Sequence, residues 1–88
     1  MKLKDGFLTH SIGEETVLVP VGAAASELHG LVRLNETAAF IVQCLAKDCT
    51  EEEITERMLA EYAADKEVLA RDVRKVLDQL RSFGAIEE

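Results

Sequence analysis

The chain has 88 residues, 48% hydrophobic and 31% charged, and its 10 Lys plus Arg against 17 Asp plus Glu leave a net charge of −7. That length predicts one domain over residues 1–88 with a single aliphatic core, because a chain this short buries only about 60–65% of its unfolded surface and has no Trp, three Phe and one Tyr. The acidity argues against a general phosphate-backbone binder, whose affinity comes from clustered positive charge.

The opening residues Met1–Gly6 read MKLKDG, too charged for a secretory signal, and no apolar run approaches the ~18 residues needed to span a membrane. Cys44 and Cys49 are the only cysteines. Reduced thiols in a cytoplasmic protein are the expectation.

Two apolar-rich runs follow, Phe7–Ile12 and Thr16–Val21, joined by Gly13-Glu14-Glu15. That spacing predicts a β-hairpin. Pro20 has no N–H to donate and marks a strand end or an edge. Residues 22–30, bracketed by Gly22 and Gly30, read as a connecting loop with one helical turn around Ala23–Glu27. Leu31–Leu34 is the third strand.

Asn35 ends that strand and opens a helix at once, because its side-chain oxygen can accept an N–H of the first turn. Glu36 suits the positive end of the helix dipole, and Ala38, Ile41 and Leu45 continue at helical spacing to about Ala46. Thr50 with Glu53 forms a capping box for a second helix, whose buried stripe is Ile54, Met58, Leu59 and Tyr62. Asp65 caps a third helix running to Phe83, with Gly84 as its stop. Its apolar face carries Leu69, Val73, Val76, Leu77, Leu80 and Phe83. Arg74 and Asp78 on the opposite face can pair at i, i+4. The predicted fold is α+β and winged-helix-like: a three-stranded antiparallel sheet followed by three helices.

Residues for chemistry are scarce. His10, His29, Cys44 and Cys49 are zinc-ligand types without metal-binding spacing, and Cys44 falls on an apolar helix face. No nucleophile elbow, Walker loop or dinucleotide-binding glycine pattern is present. The Glu51-Glu52-Glu53 run sits at a helix start, where acidic residues are favoured. The chain is therefore expected to be no enzyme, with no catalytic residue, metal or cofactor.

Three readings remain. Arg71, Arg74, Lys75 and Arg81 on the third helix allow a winged-helix nucleic-acid binder, although Asp72 and Asp78 interleave with them. The third strand, as a sheet edge with one charge (Arg33) and no Pro, could pair with a second copy of itself. That same edge, Leu31, Val32, Arg33 and Leu34, could accept an extended peptide as an added strand. Val68, Asp72, Lys75 and Gln79 form the flank of the third helix that would wall such a site, with Val76 at the border.

Val19-Pro20-Val21-Gly22, the segment Gly30-Leu31-Val32-Arg33-Leu34-Asn35-Glu36-Thr37, the Thr50/Glu53 helix start and the acidic third helix closing on Gly84 occur in one order over nearly the whole chain. Together they resemble the PqqD family. The resemblance implies a non-catalytic RiPP recognition element. Such a domain binds the leader of a ribosomally made precursor peptide beside the third strand, against the third helix. It then presents that leader to a modifying enzyme, often a radical SAM protein, with neither nucleic acid nor membrane as partner. The peptide-binding carry-over falls on Leu31–Leu34 and on the third-helix flank. Family members often place a Trp near Val42, a packing position where this chain differs.

Overall fold

The computed structural model describes residues 1–22 and 30–88. In chain order the described elements are β1 (Lys2–Leu3), β2 (Phe7–Ile12), β3 (Glu15–Pro20), β4 (Val32–Leu34), α1 (Glu36–Cys44), α2 (Glu51–Glu61), α3 (Lys66–Ser82) and β5 (Ile86–Glu87). The fold is α+β, with β2, β3 and β4 forming one antiparallel sheet in that order and the three helices following. The helical turn expected around Ala23–Glu27 lies outside the described residues, as does His29. Among the described residues no helix is long and apolar enough to cross a membrane.

The β2–β3 hairpin closes through Gly13 and Glu14, with Ile12 opposite Glu15. Gly13 sits at φ 63° and among the described residues no non-glycine has a positive φ, the pattern of a type II′ turn with Gly in its first central position. A two-residue turn makes Ile12 and Glu15 a hydrogen-bonded pair, and bonded and non-bonded pairs alternate from there. Glu15, Val17, Val19 and Val21 therefore turn their peptide groups towards β2. The Val21 N–H donates to the Gly6 carbonyl at 2.7 Å, in phase with this alternation.

Thr16 and Leu18 turn theirs the other way, onto Leu34 and Val32 of β4. The next β3 residue in that phase is Pro20, which has no N–H to give. Residue 30 would stand opposite it in the same register, and Gly30 has already left the extended region at φ 95°. The ladder thus stops at Val32, and Leu31, expected within the strand, lies outside it.

At the other end β4 stops because a helix starts. Asn35 holds extended backbone at φ −73° and ψ 178° while its side-chain oxygen accepts the Ala38 N–H at 2.8 Å. Thr50 and Glu53 form the reciprocal capping box of α2, at 3.1 and 3.0 Å. Asp65 occupies the N-cap position of α3, but its side chain makes no capping bond. At the end of α3 the Ala85 N–H reaches the Leu80 carbonyl and the Gly84 N–H that of Arg81, at 2.9 and 3.0 Å. This is a Schellman motif with Gly84 at φ 80° in the left-handed position.

The core is built from Leu18 of β3, Ile41 and Leu45 of and after α1, Ile54 and Met58 of α2, and Val73, Leu77 and Leu80 of α3, all essentially without solvent contact. Val42 is buried among them. A second, two-stranded sheet was not foreseen from the sequence: β1 pairs antiparallel with β5, Leu3 opposite Ile86. The Leu3 N–H also donates to the Leu45 carbonyl and the Lys4 N–H to that of Ala85, so β1 ties the end of α1 to the exit of α3. Phe7 and Phe83 meet edge to face across the same region, with ring centroids 5.8 Å apart.

The caps make a graded prediction. Asn35→Ala and Thr50→Ala should each cost about 1 kcal/mol, lowering Tm by roughly 4–8 °C for a domain of this size. Asp65→Ala should cost less than either. Thermal unfolding by circular dichroism checks the ranking.

Candidate functional site

A groove of about 1050 Å³ runs between the end of β4, the first turns of α1, the end of α2 and the middle of α3. Its apolar lining comes from Leu34 and Ala38, both buried in the core, and from half-buried Ala39, Phe40, Tyr62 and Val76. Of the residues singled out in the sequence, Arg33, Leu34, Asp72, Lys75, Val76 and Gln79 line this one groove. Leu31, Val32 and Val68 do not. Val32 points into the core, whereas Leu31 and Val68 are 50% and 43% exposed. Val68 is two turns of α3 ahead of Val76, roughly 12 Å along the axis.

β4 contributes backbone as well as side chains. Since Val32 and Leu34 pair with β3, the alternation turns the Arg33 N–H and C=O outward, onto the edge of the sheet that no described strand covers. The Arg33 side chain is exposed, while its neighbours Val32 and Leu34 anchor the strand in the core. The edge is held rigidly by one face and left open at one residue.

Sequence reasoning missed the other wall. Phe40 and Tyr62 stack edge to face, ring centroids 5.7 Å apart and 78° between planes. The pattern assigned Tyr62 to the buried stripe of α2, and only its amphipathic character at the end of that helix hinted at a half-open position. The Tyr62 hydroxyl is held above the ordinary tyrosine pKa, first by burial and then by the carboxylates of Glu36 and Glu61. Those two acids, one opening α1 and one ending α2, also line the groove.

The pairing expected between Arg74 and Asp78 is absent. Arg74 Nε instead meets Glu51 of α2 at 2.9 Å, and Asp78 takes Arg81 at 3.2 Å. Arg81 also holds Glu88 at 2.7 Å. Packing α3 on α2 brings an acidic helix start within reach of Arg74, and that contact displaces the local pair. Exposed pairs of this kind contribute little stability, about 0–1 kcal/mol each, but they matter for function. Two of the four α3 cations that would meet phosphates already face carboxylates, so the nucleic-acid reading gains no support.

This fold, a three-stranded sheet followed by three helices, is shared with solved proteins. The family model for coenzyme PQQ synthesis protein D (PqqD) matches residues 15–86. The chain belongs to the PqqD family. It is similar to TbiB1, solved in complex with the TbiA(beta) leader peptide, with 26% identity and a TM-score of 0.78 over 99% of this chain and 95% of that one. Its fold also matches a lasso peptide synthetase B1 complexed with the leader peptide, at 22% identity and a TM-score of 0.76 over 99% and 96%. No curated protein sequence matches the chain.

Tyr62 offers a direct check on this geometry, because it is the only tyrosine and there is no Trp. Its alkaline absorbance transition should fall above the ordinary value, and Glu36→Gln with Glu61→Gln should move it down. A raised folded-state pKa favours the protonated phenol, so its contribution to stability is present below the unfolded value of 10.0 and lost as pH rises through the folded one.

Proposed function

We propose that this chain is a non-catalytic peptide-recognition module that captures the leader of a ribosomally synthesised precursor peptide. The leader adds as a strand to the open edge of β4 and lays side chains into the groove against α3. The module then presents the peptide to a modifying enzyme, such as a radical SAM protein, in the cytoplasm. The observation that carries this reading is the outward-facing Arg33 peptide group directly beside an apolar-lined groove. Membership of the PqqD family and a fold shared with two leader-peptide complexes support it.

The energetics divide the work between backbone and side chains. Arg33 offers one donor and one acceptor to a guest strand, each bond contributing roughly 0.5–1.5 kcal/mol net. Ordering a flexible leader costs about 2–5 kcal/mol, so strand addition alone does not hold it. Apolar side chains entering the groove add about 1.5–3 kcal/mol each when fully buried. The edge therefore sets register and direction, and the pocket around Leu34, Phe40 and Val76 supplies affinity and selectivity.

Two substitutions test the division, using the leader of a small precursor encoded beside this gene as probe. Val76→Asp should weaken binding by at least about tenfold, the loss of one buried apolar contact, while leaving the helical circular dichroism spectrum intact. Arg33→Pro removes the outward N–H and none of the bonds to β3, so the fold should survive and the leader should bind poorly. Unchanged affinity in both variants would remove β4 and α3 from the site.

A further inference from the structure

The groove is unevenly charged, and the unevenness names its guest. Among the described residues Arg33 and Lys75 are its basic lining groups; Asp72 stands one helical turn from Lys75 on α3, and Glu14 and Glu15 line the groove at the β2–β3 hairpin. Glu36 and Glu61 line the groove together with the Tyr62–Phe40 pair, and both carboxylates act electrostatically on the Tyr62 hydroxyl. Neither carboxylate takes part in an ion pair among the described residues. Glu61 also ends α2, where the helix dipole already presents partial negative charge. Among the described residues no group of three or more His, Cys, Asp or Glu could hold a metal ion.

We propose that the groove selects peptides carrying a Lys or Arg at even spacing from their apolar anchor, and seats that cation by Glu36 and Glu61 over an open ring face of the Tyr62–Phe40 pair. The inference rests on the peptide-binding reading above and specifies its substrate class. A guanidinium or ammonium there meets two carboxylates and an aromatic pair, each attractive to a cation. An acidic side chain at the same place meets two like charges and a helix C-terminus. The wall thus discriminates by repulsion as well as attraction. Because a strand's side chains alternate, the apolar anchor and the cation lie on one side of the guest, two residues apart or a multiple of two.

The test is selection of a displayed random-peptide library on the intact chain, repeated on the double variant Glu36→Gln/Glu61→Gln and on Glu61→Lys. The wild type should enrich apolar residues with a Lys or Arg at fixed spacing. The Gln variant should lose the basic position while keeping the apolar one, and the best wild-type peptide should bind it about three- to tenfold more weakly. Glu61→Lys should turn the preference towards Asp or Glu. Enriched peptides with no basic position, or a basic preference that survives both variants, would overturn this inference and leave the peptide-binding reading standing. Failure to enrich any peptide on the folded wild-type chain would overturn both.

Discussion

Pro20 has no N–H to offer the strand beside it, and much of the molecule's character follows from that one missing donor. It stops the β3–β4 ladder at Val32, while the Asn35 cap starts α1 immediately after Leu34. β4 is left three residues long, too short to bury its own outer edge. Its two flanking side chains are committed to the core, so the strand cannot roll its open edge inward. An open edge of this kind normally invites indiscriminate pairing. Here the open stretch is a single outward-facing residue, charged, which is a short template for any ladder and, on the proposed reading, sets the register of a guest.

The helices supply what the edge lacks. α3 faces two environments: Arg74 and Arg81 are engaged by Glu51, Asp78 and Glu88, whereas Asp72, Lys75, Val76 and Gln79 line the groove. The engaged side meets α2 and the end of the chain through exposed ion pairs that add little to what the core already sets. β1 and β5, two residues each, tie the end of α1 to the exit of α3. The groove walls are therefore set by the core and by these ties rather than by the groove's own residues, as recognition by a preformed site requires.

Much of this was legible in the sequence, and the limits are physical. Asn35, the Thr50/Glu53 box and Gly84 act over three or four residues, so their geometry follows from local pattern and the structure reproduces it. The α3 flank was legible because a helix projects its faces at a fixed angle, which brought Asp72, Lys75, Val76 and Gln79 into one groove. Projection gives direction but not length, and so Val68 was grouped with residues that lie one to three turns further along α3. The β1–β5 pair was invisible, since two residues carry no periodicity and their partners lie at opposite ends of the chain. Arg74 went to Glu51 rather than Asp78 because tertiary packing outcompetes a weak i, i+4 pair. The Phe40–Tyr62 wall was hidden for a related reason: an apolar helical position reads the same whether it faces a core or the lip of a groove.

The central claim is that β4 receives a guest strand through the peptide group of Arg33, and amide hydrogen exchange followed by NMR tests it most directly. In the free protein the Val32 and Leu34 amides should exchange slowly, as ladder donors to β3, and the Arg33 amide fast. Saturation with the neighbouring precursor's leader should slow Arg33 and leave its neighbours nearly unchanged. An Arg33 amide that still exchanges fast in a saturated complex would mean that the leader binds elsewhere, and that the open edge of β4 is structural.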